Sequence, residues 1–237
     1  MYTTICNKKI RRIIMPSKAY TTYRNQLIKD VDELIETHKR VNQSKSGKQS
    51  LGHLTRSALF ILCAGWEHYI ELVCTELFEP LVLDNSLESA HKDVRKILAN
   101  HVKNQKDDSY CLRLIGDGWK KCLKECLDTE IKGFHSPKST PVKSLFQEYL
   151  DIDLSGILHK DNCKFIDDFV TKRGEIAHKG AKADNPKFSE IVDYRNRICN
   201  IVMDIDEFLA EEGKKVLGKK AWQRLTDAAK IISLNDK

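Results

Sequence analysis

At 237 residues with 41% hydrophobic and 31% charged side chains, the chain can close one large core or two small ones, and this balance excludes disorder throughout. The formal net charge of +6 is concentrated: residues 1–50 carry eleven Lys/Arg against four Asp/Glu, a balance of +7 that leaves the rest of the chain near −1. Such an N-terminal excess can attract a polyanion such as nucleic acid, and lysine and arginine on solvated helix faces produce the same count.

The longest apolar run, ALFILCAGW at residues 58–66, stops at nine residues, short of the roughly 18 needed to cross a bilayer as a helix. The first twenty residues are basic but lack the apolar block and small-residue cleavage site of a secretory signal. A cytoplasmic protein with no transmembrane segment is the expectation. The eight cysteines are scattered and several fall in apolar helical stripes, which points to reduced thiols rather than a disulfide framework.

Along the chain the pattern is helical nearly everywhere. Tyr20, Tyr23, Leu27, Val31, Leu34, Ile35 and His38 follow three-and-four spacing, and VNQSKSGKQS closes that helix as a polar loop. Residues 51–78 predict a longer helix, apolar almost all round near residues 60–64 and stopped by Pro80; it should be the central one. Asn85 and Ser86 precede a helical segment over 87–102, and residues 110–131 supply another with Trp119, Cys122, Leu123, Cys126 and Leu127 on one face. After the breaker-rich GFHSPKSTP, Pro141 suits the first turn of a short helix. Residues 162–179 form a further helix, an Asn185–Pro186 turn follows, and residues 188–212 carry Ile191, Tyr194, Ile198, Val202, Ile205 and Leu209 in register. No strict alternation suggests a sheet and no repeat period appears. The division expected is a basic N-terminal extension over 1–17, an all-α helical domain over 18–212 and a peripheral C-terminal helix over 213–237.

One stretch resists a purely structural reading. TKRGEIAHKG, residues 171–180, holds Arg173 and His178 five positions apart with Gly174 inside the helix. Five positions turn a straight helix by about 140°, whereas Gly174 and His178, four apart, share a side. Glycine in a helix interior costs on the order of 1 kcal/mol relative to alanine; what it offers is space beside His178 for a ligand or another backbone. Gly180 is placed for a C-terminal cap, which puts His178 in the last turn, where the negative end of the helix dipole favours a cationic side chain. Arg173 can fork onto phosphate oxygens. The pair suits cleavage of RNA, whose own 2′-hydroxyl is the nucleophile while the protein moves protons and stabilises charge, with no metal or other cofactor required.

Arg173-Gly-Glu-Ile-Ala-His178 followed by Lys-Gly, on the penultimate long helix of an all-α domain, resembles the Arg-x(4–6)-His signature of the HEPN superfamily. FILCAGWEHYIEL, residues 60–72, looks like the Trp-Glu helix of bacterial HEPN families associated with defence and toxin systems. The resemblance implies an all-α bundle of the HEPN type, here with an extra C-terminal helix, that pairs as a homodimer so that two motifs form one metal-independent endoribonuclease site. Arg173 would stabilise the phosphate and His178 would transfer protons. RNA would be the substrate, and an antitoxin or other regulatory protein a partner. The family commonly has a polar residue directly after the arginine, where this chain has Gly174; a second class therefore stays open, a non-catalytic helical module serving dimerisation or RNA or nucleotide binding.

Other constellations are weaker. Glu67 and Glu71 lie four apart on the central helix, where a carboxylate such as Glu67 could orient Arg173 or His178, or sit at a solvated edge or in a structural ion pair. Cys122, Cys126 and His135 lack the paired spacing of a zinc site, and no glycine-rich phosphate loop is present.

Overall fold

The computed structural model describes residues 16–44, 51–83, 86–135, 137–179, 184–218 and 222. Among them are eight α-helices and no strand: α1 (Lys18–Thr22), α2 (Ile28–Ser44), α3 (Gly52–Phe78), α4 (Lys92–Lys103), α5 (Gly118–Lys132), α6 (Ser139–Leu150), α7 (Lys160–Lys179) and α8 (Phe188–Leu217). The all-α expectation is met. The basic stretch before Pro16, the polar loop at 45–50, the Asn85 turn signal, the Gly180 cap and most of the C-terminal segment lie outside the described residues.

The core is built around α3. Its apolar residues occur on nearly every side of the helix, so it can lower its free energy only by being surrounded. Leu59, Leu62, Trp66, Tyr69, Ile70, Val73 and Leu77 are fully buried, with α1, α2, α6, α7 and α8 packed around them. Residues 52–83 contain an 18-residue window of mean hydropathy 1.2, long and apolar enough to cross a membrane by length and composition. Counting uninterrupted apolar residues overlooks this. Here the helix is the axis of a packed bundle instead, and polar tips inside the core find partners: the Trp66 indole N–H donates to the Pro137 carbonyl at 3.0 Å.

Two π-helical turns adjust the register around that axis. The helix does not stop at Pro80 but continues as a π turn, Glu79–Leu83, that buries Leu81 and Val82. A proline ring clashes with the carbonyl four residues earlier in an α-helix, and a wider turn relieves the clash. The predicted first helix is likewise one path through α1, a π turn at Tyr23–Leu27 and α2, with the Ile28 N–H bonded to the Tyr23 carbonyl. The five-residue step keeps both Tyr23 and Ile28 buried, at 2% and 5% exposed, ahead of Val31 and Ile35.

The start of α1 is held by two carboxylates. Asp206 of α8 accepts from the Ser17 hydroxyl, from the Ser17 N–H at 3.2 Å and from the Tyr69 hydroxyl at 3.4 Å. Glu76 of α3 accepts from the Lys18 and Ala19 N–H groups at 3.0 Å each. These bonds satisfy donors that a helix N-terminus leaves open. Burial pushes the Asp206 carboxyl up to about 6 and raises Glu76 as well.

α4 begins only at Lys92, after a turn at residues 87–89, and the segment from 110 splits into a 3₁₀ turn, Asp108–Leu114, and α5. On α5, Trp119, Cys122, Leu123 and Leu127 are buried. α8 runs past Glu212 to Leu217 and ends at Gly218, which adopts φ +65°. Five residues expected in a separate C-terminal helix thus prolong the long partner helix, and Trp222 beyond it is buried, 1% exposed. The seven described cysteines are free thiols.

Candidate functional site

α7 is fixed along its inner stripe. Phe165, Ile166, Phe169, Val170 and Ile176 are buried, and the rings of Phe165 and Phe169 meet Tyr194 of α8 at centroid distances of 5.7 and 5.3 Å. Asp167 accepts from the Ser139 N–H at 2.7 Å and from its hydroxyl at 3.2 Å, clamping the middle of α7 to the start of α6. Its last turns run antiparallel to the first turns of α3, where Ile176 and Ala177 face His53, Arg56, Ser57, Phe60 and Ile61.

Arg173 belongs to the inner stripe by spacing, four residues after Phe169 and three before Ile176. A cation there brings its charged head toward water by leaning outward along its stem. Its guanidinium carbon lies 5.2 Å from the centroid of the Phe60 ring, within cation–π range. The Nε atom is buried without a hydrogen-bond partner. Among the described residues the two amino nitrogens make no hydrogen bond, so the forked end of Arg173 keeps its donors available.

His178 is exposed in the last turn of the same helix. Five helical positions separate the two Cα atoms by about 7.5 Å along the axis and about 140° around it, so within one chain they look to different sides. Gly174 is helical, and a Cβ built on it meets no heavy atom of the described residues within 4 Å.

The other sequence candidates sit elsewhere. The Glu67 carboxylate lies 3.9 Å from His135 Nδ1 and forms no ion pair with Arg173 or His178 among the described residues. The reason is axial level: Glu67 is seven residues beyond Phe60, about 10 Å along α3, opposite the α5–α6 connection. Glu71 pairs with His68 at 3.7 Å, and burial raises its carboxyl. No group of three metal-ligating side chains occurs among the described residues.

Phe60, Arg56 and His53 escape a reading centred on α7. A signal for them exists: an arginine in an apolar stripe calls for a ring partner, and the first turn of the central helix carries His53 but no acid. Asn185, ahead of α8, sits against this end of α3, where a Cβ on Gly52 would collide with its amide.

No curated protein and no solved structure matches the chain. A family model described as RiboL-PSP-HEPN matches residues 25–211, a span that takes in α2 through α7 and most of α8 and includes Arg173, Gly174 and His178, and the chain belongs to that HEPN family.

Proposed function

We propose that the protein is a metal-independent endoribonuclease that acts as a homodimer, with Arg173 and His178 of two facing α7 helices forming one composite site. Membership in a HEPN family ties the chain to RNA-related function in general, and such domains are often dimeric. The observation that carries the finer reading is the guanidinium of Arg173, laid on Phe60 with its amino nitrogens unspent, on the same helix end as an exposed His178. The 2′-hydroxyl oxygen of the RNA attacks the adjacent phosphorus while one imidazole takes its proton. Arg173 neutralises charge on the phosphoryl oxygens, and a second imidazole protonates the departing 5′-oxygen. The products are a 2′,3′-cyclic phosphate and a 5′-hydroxyl. Two histidines are needed in opposite protonation states, and a two-fold axis supplies both from one chain.

A toxin or antiviral defence role, held in check by a regulatory protein, rests on the likeness of residues 60–72 to the Trp-Glu helix of defence-associated families. The alternative of a non-catalytic RNA-binding or dimerisation module is favoured by Gly174, which places no polar group beside His178. Labelled RNA incubated with the purified protein in EDTA, beside His178→Ala, decides between them. Cleavage with cyclic or 3′-phosphate ends, lost in the variant, supports the enzyme; products with 5′-phosphate, activity abolished by chelator, or a strictly monomeric mass at micromolar concentration would overturn it.

A further inference from the structure

We infer that the groove between the first turns of α3 and the last turn of α7 binds one nucleotide flanking the cleaved phosphate, with Arg56 taking that nucleotide's phosphate. This rests on the ribonuclease reading and adds a subsite to it. The groove holds about 660 Å³ and is lined by His53, Arg56, Ser57, Phe60, Ile61, Ile176 and Ala177, a volume within the roughly 300–1,000 Å³ of small-ligand sites.

Its chemistry is divided as a nucleotide is divided. Ile61, Ile176 and the part of Phe60 left uncovered by Arg173 form an apolar floor of a kind on which a base can lie in a sequence-tolerant way. Arg56 and His53 stand one turn apart on the same rim, and neither forms an ion pair with a carboxylate among the described residues. Among the described residues no acidic side chain lines the groove, and the first turn of α3 has none either, so its open N–H groups add positive potential. Ser57, exposed on the same side of α3, offers a hydroxyl to a ribose or phosphate oxygen. The common wall is what links this groove to the motif: Phe60 floors it and also carries Arg173. On this inference one strand gives a phosphate to Arg56 and the next to Arg173, on either side of the shared Phe60 ring.

The test uses full-length protein and a short single-stranded RNA of mixed sequence, with Arg56→Ala, Arg56→Lys and Ala177→Trp, the last filling the groove from its α7 wall. Affinity is measured on each protein as a function of salt, with solution mass by light scattering and cleavage followed in parallel. The expected result for Arg56→Ala is a five- to thirty-fold weaker affinity, with the slope of log affinity against log salt reduced by about 0.7, the value for one lost phosphate contact on a single strand. Arg56→Lys restores the slope, and Ala177→Trp weakens binding without changing it. All three keep the parent's mass and thermal melting. If the parent binds RNA but Arg56→Ala matches it in affinity and slope, the subsite is wrong while the ribonuclease reading stands. If Arg56→Ala or Ala177→Trp dissociates a dimer, the groove is a seam between copies and the inference is overturned. A parent that neither binds nor cleaves RNA overturns both readings together.

Discussion

Gly174→Ala is the perturbation whose outcome separates the explanations for the motif's glycine. The added methyl meets no heavy atom of the described protein within 4 Å, so within one chain it brings no clash, and the helix interior gains propensity. Replacing glycine by alanine at a compatible helical position stabilises by up to about 1 kcal/mol, which in a domain of this size raises the melting temperature by about 2–4 °C. The methyl lies one helical turn before His178 on the same side, where the proposed scissile phosphate must approach. The expected outcome is a more stable protein that cleaves RNA more slowly. If instead the glycine lets two α7 helices pack closely, the same methyl forces them apart, and both dimer affinity and melting temperature fall. Thermal melting, sedimentation at several concentrations and a cleavage time course on parent and variant measure the three quantities. A stabler alanine variant with undiminished cleavage removes the support for open space as the function of Gly174. Gly174→Asn restores the polarity common in the family: it should raise cleavage if the glycine weakens an enzyme, and change nothing if the site only binds.

His178→Ala should abolish cleavage while RNA affinity stays nearly intact, because proton transfer contributes mainly in the transition state, whereas Arg173→Ala should weaken both; unfolding of the histidine variant would make His178 a structural cap. Phe60→Leu keeps an apolar floor but removes the ring face under Arg173, a contact worth about 0.5–1 kcal/mol, so cleavage should fall about two- to five-fold with the melting temperature little changed; unchanged kinetics would show that Arg173 does not depend on the ring. Asp206→Asn tests the node at the start of α1. The folded carboxyl titrates at about 6, above its ordinary 3.8, so the fold binds this proton more tightly than the unfolded chain does: the associated stability is complete below about pH 4 and lost as pH rises through 6. Urea unfolding at pH 4.5 and 7 should therefore show a parent that loses up to about 2 kcal/mol more than the variant over that interval, with Glu76 leaving a slope of the same sign in both. Equal slopes would rule out Asp206 as the titrating group.

Much of the bundle is legible because burial of a helix is written along its own length. The stripe Ile191, Ile198, Val202, Ile205, Leu209 on α8 and the near-continuous apolarity of α3 each specify a helix and its inner face before any partner is known. Register shifts are less legible. Tyr23 and Ile28 are both buried, five apart, yet three-and-four counting places Leu27 in the stripe instead. Only the tertiary requirement that α1 and α2 both lie on α3 selects the wider turn. The same holds at Pro80, where the local rule ends a helix and the burial of Leu81 and Val82 outweighs it through a π turn.

The candidate site divides along the same line. Arg173, Gly174 and His178 are neighbours in sequence, so their helix, their rotation and the open side of the glycine follow from spacing alone. Partners on another helix need one further quantity, the axial level at which two helices meet, and a helical wheel does not contain it. Glu67 and Phe60 differ by seven residues and face nearly the same way from α3, so rotation cannot choose between them as the neighbour of Arg173. The choice is made by where α7 is pinned: Asp167 holds the start of α6, and Trp66 reaches the same connection through Pro137. With α7 antiparallel to α3, the six residues from Asp167 to Arg173 carry the arginine back to the level of Phe60 and leave Glu67 beside His135. A carboxylate chosen by face alone misses by two turns, and the ring that supports the arginine is found only once that clamp is known.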